Sequence, residues 1–279
     1  GIGNEGKLDF YGQRITIDND RQTVKFRNIP MSQQRVTFDV LQAGRAALVD
    51  AAKFQLEDDI TTALADTAAG RVRGRYLYGA VDSNWNATHA TGLTNIDNTA
   101  DQLTTSIVDI AKRKALITVN ATAKIRPMKV KVGQMYEEWF SSVHHTYGIR
   151  DMVLNDAAWR NAQLNLPPNS FRESVIFTGS SFKGAWNGVL IYEWDRVPLV
   201  SSTIQVGHGF LMGAQAAAVC WGQMSKFGEE FSDLGHDVSY ELHEIRGIKK
   251  VVYGRNAIDG TISDEDNGVV HVFTAAVAD

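Results

Sequence analysis

TFDVLQAGRAALVDAAKFQLEDDITTALADTAAG, residues 37–70, is the stretch whose reading decides the fold. Its apolar side chains Phe38, Leu41, Leu48, Ala52, Leu56, Ile60 and Ala63 recur along one stripe at helical spacing, while Asp50, Lys53, Glu57 and Asp58 fall away from it. Thr37 is placed to cap the helix, and Gly70 stands where it would stop, after Ala68-Ala69. A helix of about 30 residues would be roughly 45 Å long, far beyond the usual length of about 11 to 12 residues. Such a rod is a spine rather than a connector.

Upstream, Lys7–Tyr11, Arg14–Asp18 and Gln22–Arg27 are short β-prone runs, and the cluster Asp18-Asn19-Asp20 sits where a turn is expected. This predicts a projecting hairpin, closed by Pro30, with too little apolar content to pack a core by itself. Downstream, residues 70–99 are rich in Gly, Asn, Thr and Arg without a sustained period, which predicts a long surface loop. A second amphipathic helix is expected over 101–117, with Asp101 as its cap and Leu103, Ile107, Ile110 and Leu116 on one face. Strands are expected at 129–132 and 135–143, and a short helix carrying Trp159 at 151–163, before Pro167-Pro168.

The last third reads as strands at 188–192, 238–245, 248–253 and 269–273, with a small-residue helix at 213–221. Helices and strands mix without regular βαβ alternation, so the fold class is α+β.

The whole chain has 279 residues, 44% apolar and 22% charged, enough to bury a large core as one domain or two lobes. A formal net charge of -4 leaves no general basic excess for a phosphate backbone, which argues against sequence-specific DNA reading. The most apolar stretch, 209–221, is too short and too rich in Gly and Ala to span a bilayer, so a soluble chain is expected. Cys220 is the single cysteine, and the simplest reading is folding in a reducing cytoplasm. The chain begins at Gly1, read as the product of leader cleavage or as part of a longer gene product, and the Asn-x-Thr triplets at Asn86 and Asn120 are read as chance.

Motifs that carry chemistry are weak throughout. GIGNEG at 1–6 has dinucleotide-type glycine spacing, but that motif needs a strand before it and a helix after it. His144 and His145 are adjacent, so on a strand their rings point to opposite faces, and His236 and His243 have no partner at ligand spacing. The carboxylate groups Asp58-Asp59, Glu137-Glu138, Glu229-Glu230 and Asp264-Glu265-Asp266 read as solvated charge at turns; Ala275 stands where a calcium loop would need Glu. No catalytic, cofactor-binding or metal-ligating residue is nominated, and no cofactor is expected.

Four late stretches resemble the podovirus-type branch of tailed-phage major capsid proteins, which share the Hong Kong 97-type capsid fold. FTGSSFKGAWNGVLIYEWDRVP at 177–198, with Gly179, Gly184, Gly188 and Glu193, is similar to the family's glycine-rich turn and strand. GFLMGAQAAAVCWG at 209–222 resembles its Leu-x-Gly-Ala-Gln-Ala helix. EEFSDLGHDVSYELHEIRGIKK at 229–250 resembles its Asp-x-Gly and Gly-x-Lys-Lys blocks, and GVVHVFTAAV at 268–277 its closing strand. MSQQRVTFDVLQAGRAALVDAA at 31–52 also fits the entry into the long helix, so the likeness spans most of the chain.

The resemblance implies an N-terminal segment and extended hairpin loop at 1–36, and a peripheral domain with spine helix and following loop at 37–99. It implies a mostly axial domain at 100–222 and a return to the peripheral domain at 223–279. It further implies a non-enzymatic subunit that self-assembles, as hexamers and pentamers, into an icosahedral head around double-stranded DNA. Implied partners are portal, scaffold and cementing proteins, with no membrane, and the implied location is the virion after assembly in the host cytoplasm.

A hairpin unable to pack on its own chain fits a segment laid on a neighbour, so the intersubunit candidates are Arg14, Asp18, Asp20, Arg21, Lys25 and Arg27, with Arg71, Arg73 and Arg75 in the following loop. Ordinary exposed charge explains the same residues equally well. An encapsulin-like nanocompartment shell and a soluble α+β enzyme are the alternative readings.

Overall fold

The computed structural model describes residues 12–68, 70–117, 124–132, 135–164, 181–256 and 262–277. The first half runs β1 (Asp18–Phe26), α1 (Ile29–Gln34), α2 (Val40–Ala65), β2 (Tyr76–Tyr78), α3 (His89–Thr94), α4 (Thr105–Leu116), β3 (Met128–Val132), β4 (Met135–His144), α5 (Thr146–Asn155) and α6 (Ala157–Leu164). Among the described residues the second half has no α-helix and runs β5 (Phe182–Trp186), β6 (Val189–Glu193), β7 (Leu199–Ser201), β8 (Gln205–Met212), β9 (Ala217–Ser232), β10 (Asp237–Lys250), β11 (Val252–Asn256), β12 (Ile262–Asp266) and β13 (Val269–Ala275). The chain forms two compact units, one from residues 1–13, 64–216 and 250–279, the other from 14–63 and 217–249.

The smaller unit is the sheet β1-β10-β9 with α2. α2 has 26 residues, about 39 Å of helix. It begins later than Thr37 because Asp39 is the capping side chain: its Oδ1 accepts from the N–H groups of Leu41 and Gln42, at 2.9 and 3.2 Å. Its inner face follows the expected stripe at Leu48, buried against Val238 and Tyr240, and at Leu41, packed beside them with Val24, Phe26 and Leu242, whereas Phe38, read as the first member of that stripe, lies before the helix and is 57% exposed. Gly44 is needed here, since a Cβ at that position would run into the Phe26 ring.

The expected hairpin before Pro30 is corrected. Asp18-Asn19-Asp20 is not a turn but the start of β1, which pairs antiparallel with β10 from Asp18↔Arg246 to Phe26↔Val238. The real hairpin of this unit joins β9 to β10 through Asp233–Gly235, where Asp233, Leu234 and Gly235 all have left-handed φ, at 50°, 51° and 91°. The helix expected at 213–221 is also corrected: Ala217 onward is strand, because pairing within the sheet overrides the helix propensity of small residues.

The larger unit is an eight-stranded mixed sheet whose main path is β2-β13-β8-β4-β6-β5, with β3 on β4 and β7 on β8, plus the pair β11-β12. β13 is buried at every position and lies between β2 (parallel) and β8 (antiparallel), which explains its nearly unbroken apolar run VVHVFTA. On one face, Val270, Val272, Leu77 and Leu211 pack with Ile107, Val108 and Ala111 of α4 and with Ile149 and Met152 of α5. On the other, Tyr76, Tyr78 and Phe273 pack with Leu93, Ile96 and Val206. The segment 70–99 is therefore not simply a surface loop, since it contributes the fully buried strand Tyr76–Tyr78.

Two helix ends also differ from the sequence reading. α4 starts at Thr105, and Asp101 instead accepts from the N–H groups of Ala80 and Asp97, at 2.6 and 2.8 Å. The helix expected over 151–163 is split at Asp156, whose Oδ1 accepts from the N–H groups of Ala158 and Trp159, at 2.9 and 3.2 Å. Its Oδ2 accepts from the N–H and hydroxyl of Thr105, both at 2.7 Å. The GIGNEG opening, Lys7–Tyr11, Asn120, Pro167-Pro168 and Gly179 lie outside the described residues.

Three imidazoles, His144, His208 and His271, are buried in this unit at 2% exposure or less. Burial holds all three below the ordinary histidine value, His144 at about 4. A depressed folded-state value gives stability that is complete above the unfolded value of about 6.5 and is lost as pH falls below it. Asp266, pushed up by burial to about 7, works the other way: its contribution is complete below the unfolded carboxylate value and lost as pH rises through 7. Three histidines outweigh one carboxyl on the acid side. Thermal melting of the full chain is expected to be clearly lower at about pH 5 than at about pH 7, with His144 alone accounting for about 2 kcal/mol. Equal melting temperatures at the two pH values would refute the neutral state of these rings.

Candidate assembly surface

β1 and β9 are the two edges of the three-stranded sheet, with β10 between them. Along β1 the side chains alternate, Gln22, Val24 and Phe26 half-buried and Arg21, Thr23 and Lys25 exposed. The charges of β1 are met across the strand pair: Arg21 lies 2.5 Å from Glu241, Lys25 3.3 Å from Asp237 and Asp20 2.8 Å from Arg246. Asp18, exposed, accepts from the N–H of Asn19 at 2.8 Å, and Arg14 and Arg27 are exposed at either side of the strand. The backbone N–H of Asn28, donating to Asp237 Oδ1 at 3.1 Å, holds the Asp237 carboxyl below the usual carboxylate range, with Lys25 adding to the effect.

The second group of sequence-nominated residues lies in the larger unit, Arg71 half-buried, Arg73 exposed and Arg75 buried. Arg71 donates to the carbonyl of Asn86 at 2.7 Å and to the Tyr78 hydroxyl at 3.0 Å, and Arg73 pairs with Asp82 at 3.0 Å. Arg75 is a correction. It is fully buried, its Nε donating to the Asp266 carbonyl at 2.8 Å and its Nη2 lying 3.4 Å from Glu265, so it has no surface to offer a neighbour. Glu265 and Asp266, read from the sequence as solvated, are buried with it.

What the sequence reading missed is the apolar row along β9. Val219, Trp221, Met224, Phe227 and Phe231 are exposed large apolar side chains, and Leu234 in the following turn is completely so. Exposed ion pairs contribute about 0.2 to 1 kcal/mol, whereas covering one large apolar side chain is worth about 1.5 to 3 kcal/mol. The apolar row is therefore the stronger driving feature of this unit. Among the described residues no strand pairs with the outer edge of β9, and a long apolar edge left bare invites pairing with another chain. The signal that could have found it is the run EEFSDLGHD, with turn chemistry at Asp233-Leu234-Gly235 between two β-prone runs.

Chemistry of other kinds is thinly represented. Among the described residues no group of three or more His, Cys, Asp or Glu side chains is placed to hold a metal ion, and no helix is long and apolar enough to cross a membrane.

Comparison with known structures places this architecture. The cyanophage Pam1 capsid asymmetric unit matches at 24% identity and a TM-score of 0.76, covering 100% of this chain and 80% of that one. The capsid of Ralstonia phage GP4 matches at 22% identity and a TM-score of 0.76, covering 99% and 78%. The capsid of Helicobacter pylori bacteriophage KHP30 matches at 14% identity and a TM-score of 0.70, covering 99% and 81%. No curated protein matches the chain. The fold is thus the α+β capsid fold of the Hong Kong 97 type. The family model for phage capsid protein matches residues 2–278, and the chain belongs to that family, the structural subunits of phage heads.

Proposed function

We propose that many copies of this chain close, as hexamers and pentamers, into an icosahedral head that encloses a double-stranded DNA genome and catalyses no reaction. The observation that carries this reading is the uncovered apolar edge of β9 in a chain of the phage capsid family. A second copy of the chain is the occupant: strand pairing and apolar contact lacking in one subunit are regained on its neighbour. We place axial contacts on residues 100–222, and peripheral ones on the spine helix and on 223–279. The N-terminal segment, with the exposed charges Arg14, Arg21, Lys25 and Arg27, forms the rim of the contact on β9. The net charge of -4 suits a wall that encloses DNA without gripping its sequence. Portal, scaffold and cementing proteins are the further partners of such a head, assembled in the host cytoplasm and retained in the virion.

The test is the mass and appearance of the purified, overexpressed chain. Closed shells by electron microscopy, empty or filled with nucleic acid, are the expected result. A small monodisperse oligomer, or cages filled with a protein cargo, would overturn the reading.

A further inference from the structure

A chain of proton-carrying groups is enclosed in the larger unit. His208 on β8 and His271 on β13 are diagonal neighbours on one face of the sheet, since His271 is registered with Phe210 and His208 with Phe273. The Nε2 atom of His208 lies 2.8 Å from Nδ1 of His271, and Nε2 of His271 lies 3.1 Å from Oδ2 of Asp266. Lys250, at the end of β10, places Nζ 2.7 Å from Oδ1 of Asp266 and 3.3 Å from Nε2 of His271. None of the four side chains is more than 2% exposed.

Proton counting fixes the polarity of the His208–His271 and His271–Asp266 links in each state, while the Lys250 ammonium, which can only donate, bonds Nε2 of His271 only when that nitrogen is bare. A neutral imidazole has one N–H and one lone pair, on different nitrogens. When Asp266 is ionised, Oδ2 must accept, so His271 carries its proton on Nε2. Its Nδ1 is then bare and accepts from Nε2–H of His208. When Asp266 carries a proton on Oδ2, it donates to Nε2 of His271, whose own proton must sit on Nδ1. Then Nε2 of His208 accepts, and the proton of His208 must sit on Nδ1.

We propose that His208, His271 and Asp266 form a buried proton relay in which both imidazole tautomers invert together when the group takes up one proton. The step balances as follows: a proton from solvent forms Nδ1–H on His208, whose Nε2 proton passes to Nδ1 of His271. The Nε2 proton of His271 then passes to Oδ2 of Asp266. Both rings begin and end neutral, and the net gain is one proton on the carboxyl.

The surroundings tune this step. Burial, with the charge of Lys250 and the neighbouring His89 ring, holds both histidines well below their ordinary value, so neither ionises near neutrality. Burial pushes Asp266 up to about 7, against the opposing pull of Lys250 and Arg75. Asp66 adds negative charge from the end of α2, Glu265 offsets Arg75, and the Tyr76 ring stacks on His271 at 4.4 Å. With Asp266 ionised, Lys250 is paired with Asp266 and Arg75 with Glu265; uptake of a proton removes the charge paired with Lys250. Lys250 is the residue most affected. Its ammonium also holds the carbonyl of Asp66, and its own carbonyl accepts from Gln13 at 2.9 Å, so the relay sets how firmly these segments are tied within the unit.

Selective labelling of histidine ring nitrogens in the full chain, read by NMR from about pH 5.5 to about pH 8.5, tests the relay. His208 and His271 are expected to change from Nε2–H to Nδ1–H on acidification, with one shared midpoint near 7. In Asp266→Asn the amide donates toward His271 and its oxygen faces Lys250, so both rings are expected to stay Nδ1–H at every pH. In Lys250→Met the midpoint is expected to move upward, because the carboxylate loses its cation. Rings that titrate separately, rings that do not change, an inversion that survives in Asp266→Asn, or an unmoved midpoint in Lys250→Met would each overturn the proposal.

Discussion

Arg246→Met is expected to cost the subunit about 3 to 5 kcal/mol of stability, the range for removing one partner of a buried ionic group. Arg246 is buried, and its guanidinium is shared among three carboxylates: Asp20 at 2.8 Å, Asp59 at 2.5 Å and Glu244, which is buried as well. Methionine fills similar space but leaves Glu244 enclosed without a cation and three negative charges close together. The hydroxyl of Ser225, 2.7 Å from Glu244, can donate a hydrogen bond but cannot neutralise that charge. Arg21→Ala removes an ion pair of similar length, 2.5 Å to Glu241, yet the Arg21 side chain is 60% exposed. Its loss is expected to cost less than about 1 kcal/mol. Chemical denaturation of the two variants, followed by circular dichroism, separates the cases; equal and small shifts would mean that the Arg246 cluster is hydrated and contributes no more than a surface pair.

The same cluster explains where sequence reading stopped. Asp18-Asn19-Asp20 looks like a turn because three turn-forming residues stand together, and the residue that makes Asp20 acceptable within a strand, Arg246, lies in a distant part of the chain. Asp264-Glu265-Asp266 looks solvated for the same reason, since the cations that accompany Glu265 and Asp266 into the interior are Arg75 and Lys250. The spine helix was legible because its stripe repeats over many turns, and β13 because an apolar run buried on both faces has no other use in so short a segment. Tyr76–Tyr78 was not legible: three residues give no period, and the flanking Gly and Arg read as loop. The β9 row was hidden by Ala216-Ala217-Ala218, whose intrinsic preference is helical but which lead into an edge strand. The interface candidates of β1 were chosen for charge, and three of them, Asp20, Arg21 and Lys25, have ion-pair partners on β10 that the sequence did not announce.

Assembly is where the largest effect is expected: Phe231→Glu combined with Leu234→Asp should leave the subunit folded and abolish shells. Phe231 is 63% exposed and Leu234 fully exposed, so in the isolated chain these changes meet water and should alter stability by no more than about 0.5 kcal/mol each. Aspartate is chosen at 234 because the backbone there has a left-handed φ of 51°, which Asp tolerates better than most side chains. In a shell the same positions would be covered by a neighbouring copy, and each contact would enclose two unpaired carboxylates, a cost of several kcal/mol. That penalty recurs at every subunit contact, and closed shells require nearly all contacts to form. Sedimentation and electron microscopy of the variant, beside circular dichroism to verify folding, read the outcome. Shells of normal yield from a normally folded variant would exclude the β9 edge and its turn from the contact; a folded variant that stays as free subunits is the expected result.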